Sequence, residues 1–128
     1  MAESPGSPGA EGERPYDIRK RTFKFGVRIV KLVGRFPRTV AATEIGRQLI
    51  KAGTSVGSNM HEADEGVSKK DFINHVRIAR KEARESGYWL SMVSEAEIMK
   101  DPEVDALSRE AEELLRILTK IINRSTRT

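Results

Sequence analysis

Apolar residues along this chain recur at steps of three and four, the spacing that places them on one side of an α-helix. Ile18, Thr22, Phe25, Ile29, Leu32 and Phe36 form the first such seam. Asp17 opens it, where a negative charge suits the positive end of the helix dipole. Pro37 stops it, because the residue before a proline is pushed out of helical geometry. Thr39 is placed to cap a second helix that turns Ile45, Leu49, Ala52, Val56 and Ala63 inward. After Gly66-Val67, the run Ser68-Lys69-Lys70-Asp71 reads as a weak capping box with Asp in place of Glu. Phe72, Val76, Ala79, Ala83, Ser86, Leu90 and Val93 continue as a third seam, which Lys100-Asp101-Pro102 ends. Pro102 suits the first turn of a fourth helix, with Val104, Leu107, Ala111, Leu114, Leu118 and Ile121 on its inner face.

Four amphipathic helices with short connections predict an all-α, antiparallel up-down four-helix bundle. Residues 1–15 (MAESPGSPGAEGERP) offer too little apolar surface to offset ordering entropy, so a disordered N-terminal tail is expected there. The bundle is expected over 16–124, with 125–128 as a frayed C-terminus. Helices two and three look longer than one and four. Their hairpin either projects beyond the other helices or is broken near Gly66 and Gly87; the pattern leaves both open.

Composition narrows the chemistry. The 128 residues suit one domain with a modest core, and the absence of cysteine removes disulfides, thiolate zinc sites, iron–sulfur clusters and cysteine nucleophiles. No apolar run approaches the roughly 18 residues of a membrane span, and the first residues lack the pattern of a signal peptide. A soluble, cytoplasmic protein that does not engage a membrane is therefore expected.

The formal charge of +4 is shared unevenly. Residues 17–38 hold eight basic residues against one acid, 40–67 are net −2, 68–99 net +1, and 100–128 balance at zero. Within the first helix Arg21, Arg28 and Arg35 recur every seven residues beside the apolar seam, Lys24 and Lys31 lie one turn away, and Lys20 extends the stripe. One reading is an electrostatic footprint for nucleic-acid phosphates, with Arg forking onto oxygen pairs and Lys acting as a point charge. The other is a helix face that pairs with the acidic second helix or with acids of another subunit. No zinc finger, glycine-rich phosphate loop or aromatic sheet motif supports base-specific reading, so binding would be to the RNA or DNA backbone and sequence-nonspecific.

Three interior glycines, Gly46, Gly53 and Gly57, each cost the second helix about 1 kcal/mol relative to alanine. They serve either close packing within the bundle or a subunit interface. Ser55, Asn59 and Glu62 share one face of helix two, and Glu82, Ser86 and Trp89 share one face of helix three. The polar members predict a structural network across the helix pair that fixes register. A di-iron bundle would need Glu-x-x-His on two helices, and no Glu here precedes a His by three. His61-Glu62-Ala63-Asp64-Glu65 lacks the second histidine of a zincin helix, and His75 pairs best with Asp71 four residues earlier. No metal, cofactor or catalytic residue is expected. Tyr88-Trp89 offers base stacking, but packing in the core or an interface is the expected use.

The chain also resembles a known family. The residues that carry the likeness are Tyr16-Asp17-Ile18-x-x-Arg21-Thr22, Gln48-Leu49, Thr54-Ser55-Val56-Gly57-x-Asn59-x-x-Glu62-Ala63, and Ser68-Lys69-x-Asp71-Phe72-Ile73. They continue through Ala79-x-Lys81-Glu82-Ala83-x-Glu85-Ser86-x-Tyr88-Trp89-Leu90. From Tyr16 to about Ile122 the chain is similar to the bacterial four-helix-bundle proteins encoded in intervening sequences of 23S ribosomal RNA genes. That family is more distantly similar to accessory proteins of diversity-generating retroelements, which assemble as pentamers and bind nucleic acid and a reverse transcriptase. The resemblance implies a homo-oligomer, a pentamer by preference, without catalytic activity and with a reverse transcriptase as one kind of protein partner. Asp64-Glu65-Gly66 departs from the family, whose members often carry basic residues there. The expected function is a non-enzymatic accessory scaffold that contacts nucleic-acid phosphates through helix one. The alternative is a protein-interaction module whose basic stripe meets an acidic partner and which binds no nucleic acid.

Overall fold

The computed structural model describes residues 15–65 and 68–127. Four helices follow one another: α1 (Pro15–Val33), α2 (Val40–Asp64), α3 (Lys69–Glu95) and α4 (Pro102–Thr126). Consecutive helices pack against each other, α1 closes the bundle more loosely against α4, and the diagonal pairs barely touch. This is the expected antiparallel up-down bundle. The tail expected over the first residues lies outside the described residues, apart from Pro15, which already begins α1. At the other end α4 continues to Thr126, whose hydroxyl donates to the Ile122 carbonyl, so the helix outlasts the expected boundary at 124.

Each seam faces inward. Ile18, Phe25, Ile29 and Leu32 from α1 meet Leu49, Val56, Met60 and Ala63 from α2, Val76, Ala79, Ala83, Leu90 and Val93 from α3, and Val104, Leu107, Leu114 and Leu118 from α4. Thr22 is fully buried on the α1 seam, and its hydroxyl is satisfied by the Ile18 carbonyl at 2.9 Å. Ile45, Phe36 and Phe72 are half-buried at the rim of this core.

Capping follows the local chemistry. The Thr39 side chain accepts from the Ala42 N–H, Ser68 from the Asp71 N–H and Asp101 from the Glu103 N–H, each satisfying a donor with no partner inside its helix. Pro102 occupies the first turn of α4 as expected. The end of α3 differs: the helix stops at Glu95, five residues before the expected terminator. Ile98 N–H reaches back to the Val93 carbonyl and Glu97 N–H to the Ser94 carbonyl, with Glu97 at φ 56°. This is a Schellman termination with glutamate in the left-handed position usually held by glycine, and Ile98 packs back onto the core.

The lengths also differ from expectation. α2, α3 and α4 have 25, 27 and 25 residues against 19 in α1, so α1 is the short member and no hairpin stands out. Gly87 lies inside an unbroken α3, and Gly66 lies outside the described residues.

Candidate nucleic-acid interface

The glycines of α2 determine how close α1 comes. A Cβ at Gly53 would lie 2.8 Å from Cγ1 of the buried Ile29, and one at Gly57 would lie 3.0 Å from the Thr22 carbonyl oxygen. A Cβ at Gly46 would meet Val33 at 2.8 Å. The glycines are thus used inside the protomer, and the paired positions run in opposite directions, as antiparallel helices require. Beside this contact the small residues leave an open apolar groove of about 1040 Å³, with Gly26 and Gly57 in its lining. Phe23, Val27 and Val30 line its α1 side, Phe23 being 71% and Val30 46% exposed.

α1 carries the predicted basic stripe, and the structure divides it. Arg21 donates through Nε and Nη2 to the Glu110 carboxylate at 2.7 and 2.9 Å. Arg28 forks onto Glu103 in the same way at 2.8 and 3.0 Å, and Arg35 Nη2 reaches Asp101 at 3.0 Å. The heptad of arginines therefore meets acids of α4 and its N-cap, and not those of α2. Arg19, which is not part of the predicted stripe, pairs with α2 through Asp64, and its Nη2 lies 3.2 Å from His61 Nδ1. Glu110 and Glu103 are themselves seven apart, so the two rows match in antiparallel register. These pairs bridge the looser α1–α4 side of the bundle. Half-exposed pairs of this kind contribute at most about 1 kcal/mol each, so their larger effect is to fix which residue faces which.

Electrostatics follow the pairing. The hydrogen bonds to Glu110 and Glu103 push the Arg21 and Arg28 guanidiniums above their ordinary values. The bond from Arg28 holds the Glu103 carboxyl below the ordinary range. Asp101 is lowered first by the Glu103 backbone N–H it caps and then by Arg35. Lys24 and Lys31 are exposed and, among the described residues, have no ion-pair partner. Lys20 is exposed at the α1 edge of the groove and is engaged in a contact of its own.

The polar residues expected to form a network are satisfied mostly within their own helices. Ser55 Oγ donates to the Lys51 carbonyl, Asn59 Nδ2 to the Ser55 carbonyl and Ser86 Oγ to the Glu82 carbonyl. Glu62 is exposed and lines the α1–α2 groove, so it does not meet Glu82, which lies 3.9 Å from Lys81 on α3. A serine one turn after a carbonyl finds an acceptor without crossing to another helix, which is why the network does not form. The cross-helix polar contact found here joins Asn59 Oδ1 to His75 Nδ1 at 3.3 Å, so His75 faces α2 and not Asp71. Tyr88 and Trp89 pack edge to face at 5.0 Å, but they part company in burial. Trp89 lies against the core, whereas Tyr88 is 59% exposed.

Sequence reasoning missed one charged face. The net +1 of 68–99 averages a net +4 over 69–84, where six basic residues meet only Asp71 and Glu82, with the three acids at 85, 95 and 97. Counting by helical half and not by whole segment would have found it. Among the described residues no group of three or more His, Asp or Glu is placed to hold a metal ion, and no helix is long and apolar enough to cross a membrane.

The comparisons place this architecture among known proteins. No curated protein matches the chain. A crystal structure of a protein of unknown function from the S23 ribosomal protein family of Bacteroides thetaiotaomicron is 30% identical, with a TM-score of 0.77. The match covers 85% of this chain and 97% of that one. Residues 14–120 match the model of the 23S rRNA-intervening sequence protein. With the match extending across all four helices, the chain belongs to the 23S rRNA-intervening sequence protein family.

Proposed function

We propose that this protein is a non-enzymatic, homo-oligomeric scaffold that binds the phosphate backbone of RNA or DNA. The observation that carries the reading is the pair of exposed lysines on α1, Lys24 and Lys31, which the bundle leaves unneutralised while it pairs Arg21, Arg28 and Arg35 internally. Lysines of this kind attract phosphate without selecting a base, and each one engaged releases counterions, so binding weakens steeply with salt. On α1 the contacts are therefore assigned to the lysines, and the arginines act first on the fold.

Self-association is supported by the exposed Phe23 and Val30 beside the apolar groove, since contiguous exposed apolar surface marks interaction sites. The occupant proposed is a second copy of this chain, and the resemblance favours a pentamer. A reverse transcriptase remains a proposed partner on the same ground, and a cytoplasmic location is proposed with it.

The test is fluorescence anisotropy with labelled RNA and DNA at several salt concentrations. Combined Lys24→Glu and Lys31→Glu should weaken binding several-fold at low salt with an unchanged melting temperature. Flat affinity across salt, or unaltered binding by the variant, would remove the α1 contact. Phe23→Glu should lower the mass seen by light scattering, and a monomeric wild type would refute self-association. Recovery of an acidic protein partner after nuclease treatment, with no nucleic acid bound, would replace this reading with that of a protein-interaction module.

A further inference from the structure

The outer face of α3 combines cations and an exposed aromatic ring in a single line. At about 100° per residue, Lys70, Arg77, Lys81, Arg84 and Tyr88 fall within an arc of about 60° around the helix. All five are exposed. Lys81 lies 3.9 Å from Glu82, while Lys70, Arg77 and Arg84 have no ion pair among the described residues. The four cations extend over about 21 Å of helix, and Tyr88 stands roughly one turn beyond Arg84.

Local stability does not explain this arrangement. Cations are unfavourable near the positive N-terminal end of a helix and favourable near its C-terminal end. Here Lys69 and Lys70 outnumber Asp71 in the first turn of α3, the last turn holds no basic residue, and Glu95 ends the helix. The charge polarity therefore runs against the helix dipole, and residues that oppose local stability mark places where function has set the choice.

We infer that this face of α3 is a binding site for single-stranded nucleic acid, with Lys70, Arg77, Lys81 and Arg84 on the phosphates and Tyr88 stacked on a base. The inference rests on the nucleic-acid reading above and moves its principal contact from α1 to α3. A line of charge tracks a backbone, and an aromatic ring at its end accepts an unpaired base of any identity. A duplex offers no free base face to Tyr88, so single strands are preferred. Arg77 and Arg84 bring forked donors to phosphate oxygens, and Lys70 and Lys81 bring point charges.

The experiment measures anisotropy of a short labelled single-stranded RNA across salt concentrations with the full chain. One variant carries Lys70→Gln, Arg77→Gln, Lys81→Gln and Arg84→Gln. A charge-matched control carries Arg109→Gln, Lys120→Gln, Arg124→Gln and Arg127→Gln, exposed positions at and beyond the α4 face. The α3 variant should flatten the plot of log affinity against log salt by about 2.8, at roughly 0.7 per cation on a single strand. Tyr88→Ala should weaken binding about tenfold with the slope unchanged, and Tyr88→Trp should restore it. Equal loss in the α4 control would show a net-charge effect and overturn the site. Loss confined to the Lys24/Lys31 variant would return the contact to α1. Equal competition by a duplex would overturn the single-strand assignment, and a wild type that binds no nucleic acid would overturn the underlying reading itself.

Discussion

Replacing Gly57 with alanine tests the close approach of α1 to α2, on which the groove and the placement of the α1 lysines depend. On helix propensity alone the change should stabilise α2 by about 1 kcal/mol. The structure opposes this. The new Cβ would lie 3.0 Å from the Thr22 carbonyl oxygen and 3.1 Å from both the Thr22 carbonyl carbon and the Phe23 nitrogen. These are backbone atoms within α1, so relief requires the whole helix to move. Overpacking of this kind costs about 1–3 kcal/mol, leaving a net loss of about 1 kcal/mol after the propensity gain. Gly87 is the internal control, because a Cβ there would meet only the Ala111 Cβ at an ordinary 3.9 Å. Gly87→Ala should therefore keep its propensity gain. The two variants should melt on opposite sides of the wild type, separated by about 8 °C at roughly 4 °C per kcal/mol. Thermal denaturation followed by circular dichroism, at equal protein concentration, reads the difference. A Gly57→Ala protein as stable as Gly87→Ala would refute the close helix contact and the argument built on it.

Other consequences are as direct. A double-mutant cycle on Arg21→Gln and Glu110→Gln should show a coupling of about 0.5–1 kcal/mol in chemical denaturation, and zero coupling would mean that the pair does not form. Glu103 and Asp101 have lowered values in the fold, so their stabilisation is complete above the unfolded-state values near pH 4 and is lost as pH falls through the lower folded-state ones. The melting temperature should drop over that acidic window, and less steeply in Glu103→Gln; identical pH profiles would contradict the assignment. Glu97→Gly should raise stability by up to about 1 kcal/mol, because only glycine adopts φ 56° without a steric penalty. A loss of stability there would show that the glutamate side chain contributes more than its backbone costs.

The inward-facing seams and the N-caps at Thr39, Ser68 and Asp101 could be read directly, because helical period and capping depend on residues three or four positions apart. The end of α3 was harder. A left-handed glutamate carries no compositional marker, so the visible Lys100-Asp101-Pro102 drew the expected boundary five residues too far. The candidate site divides on the same principle. The arginine heptad on α1 was legible, and so in principle was the matching spacing of Glu103 and Glu110, but net charge by segment concealed it. The polar residues of α2 and α3 were seen to share faces, yet a face is also within reach of its own carbonyls, and these competed successfully for Ser55 and Ser86.

The sequence by itself thus determined four amphipathic helices, their order and their inward sides, since each follows from local spacing. Tertiary structure alone decided that Gly53 and Gly57 receive α1, that the arginines face α4, and that Tyr88 stays outside while Trp89 goes in. Those outcomes depend on which helix faces which and on their rotation about their axes. Both are settled by packing and pairing between residues far apart in the chain, which a periodicity along one helix does not encode.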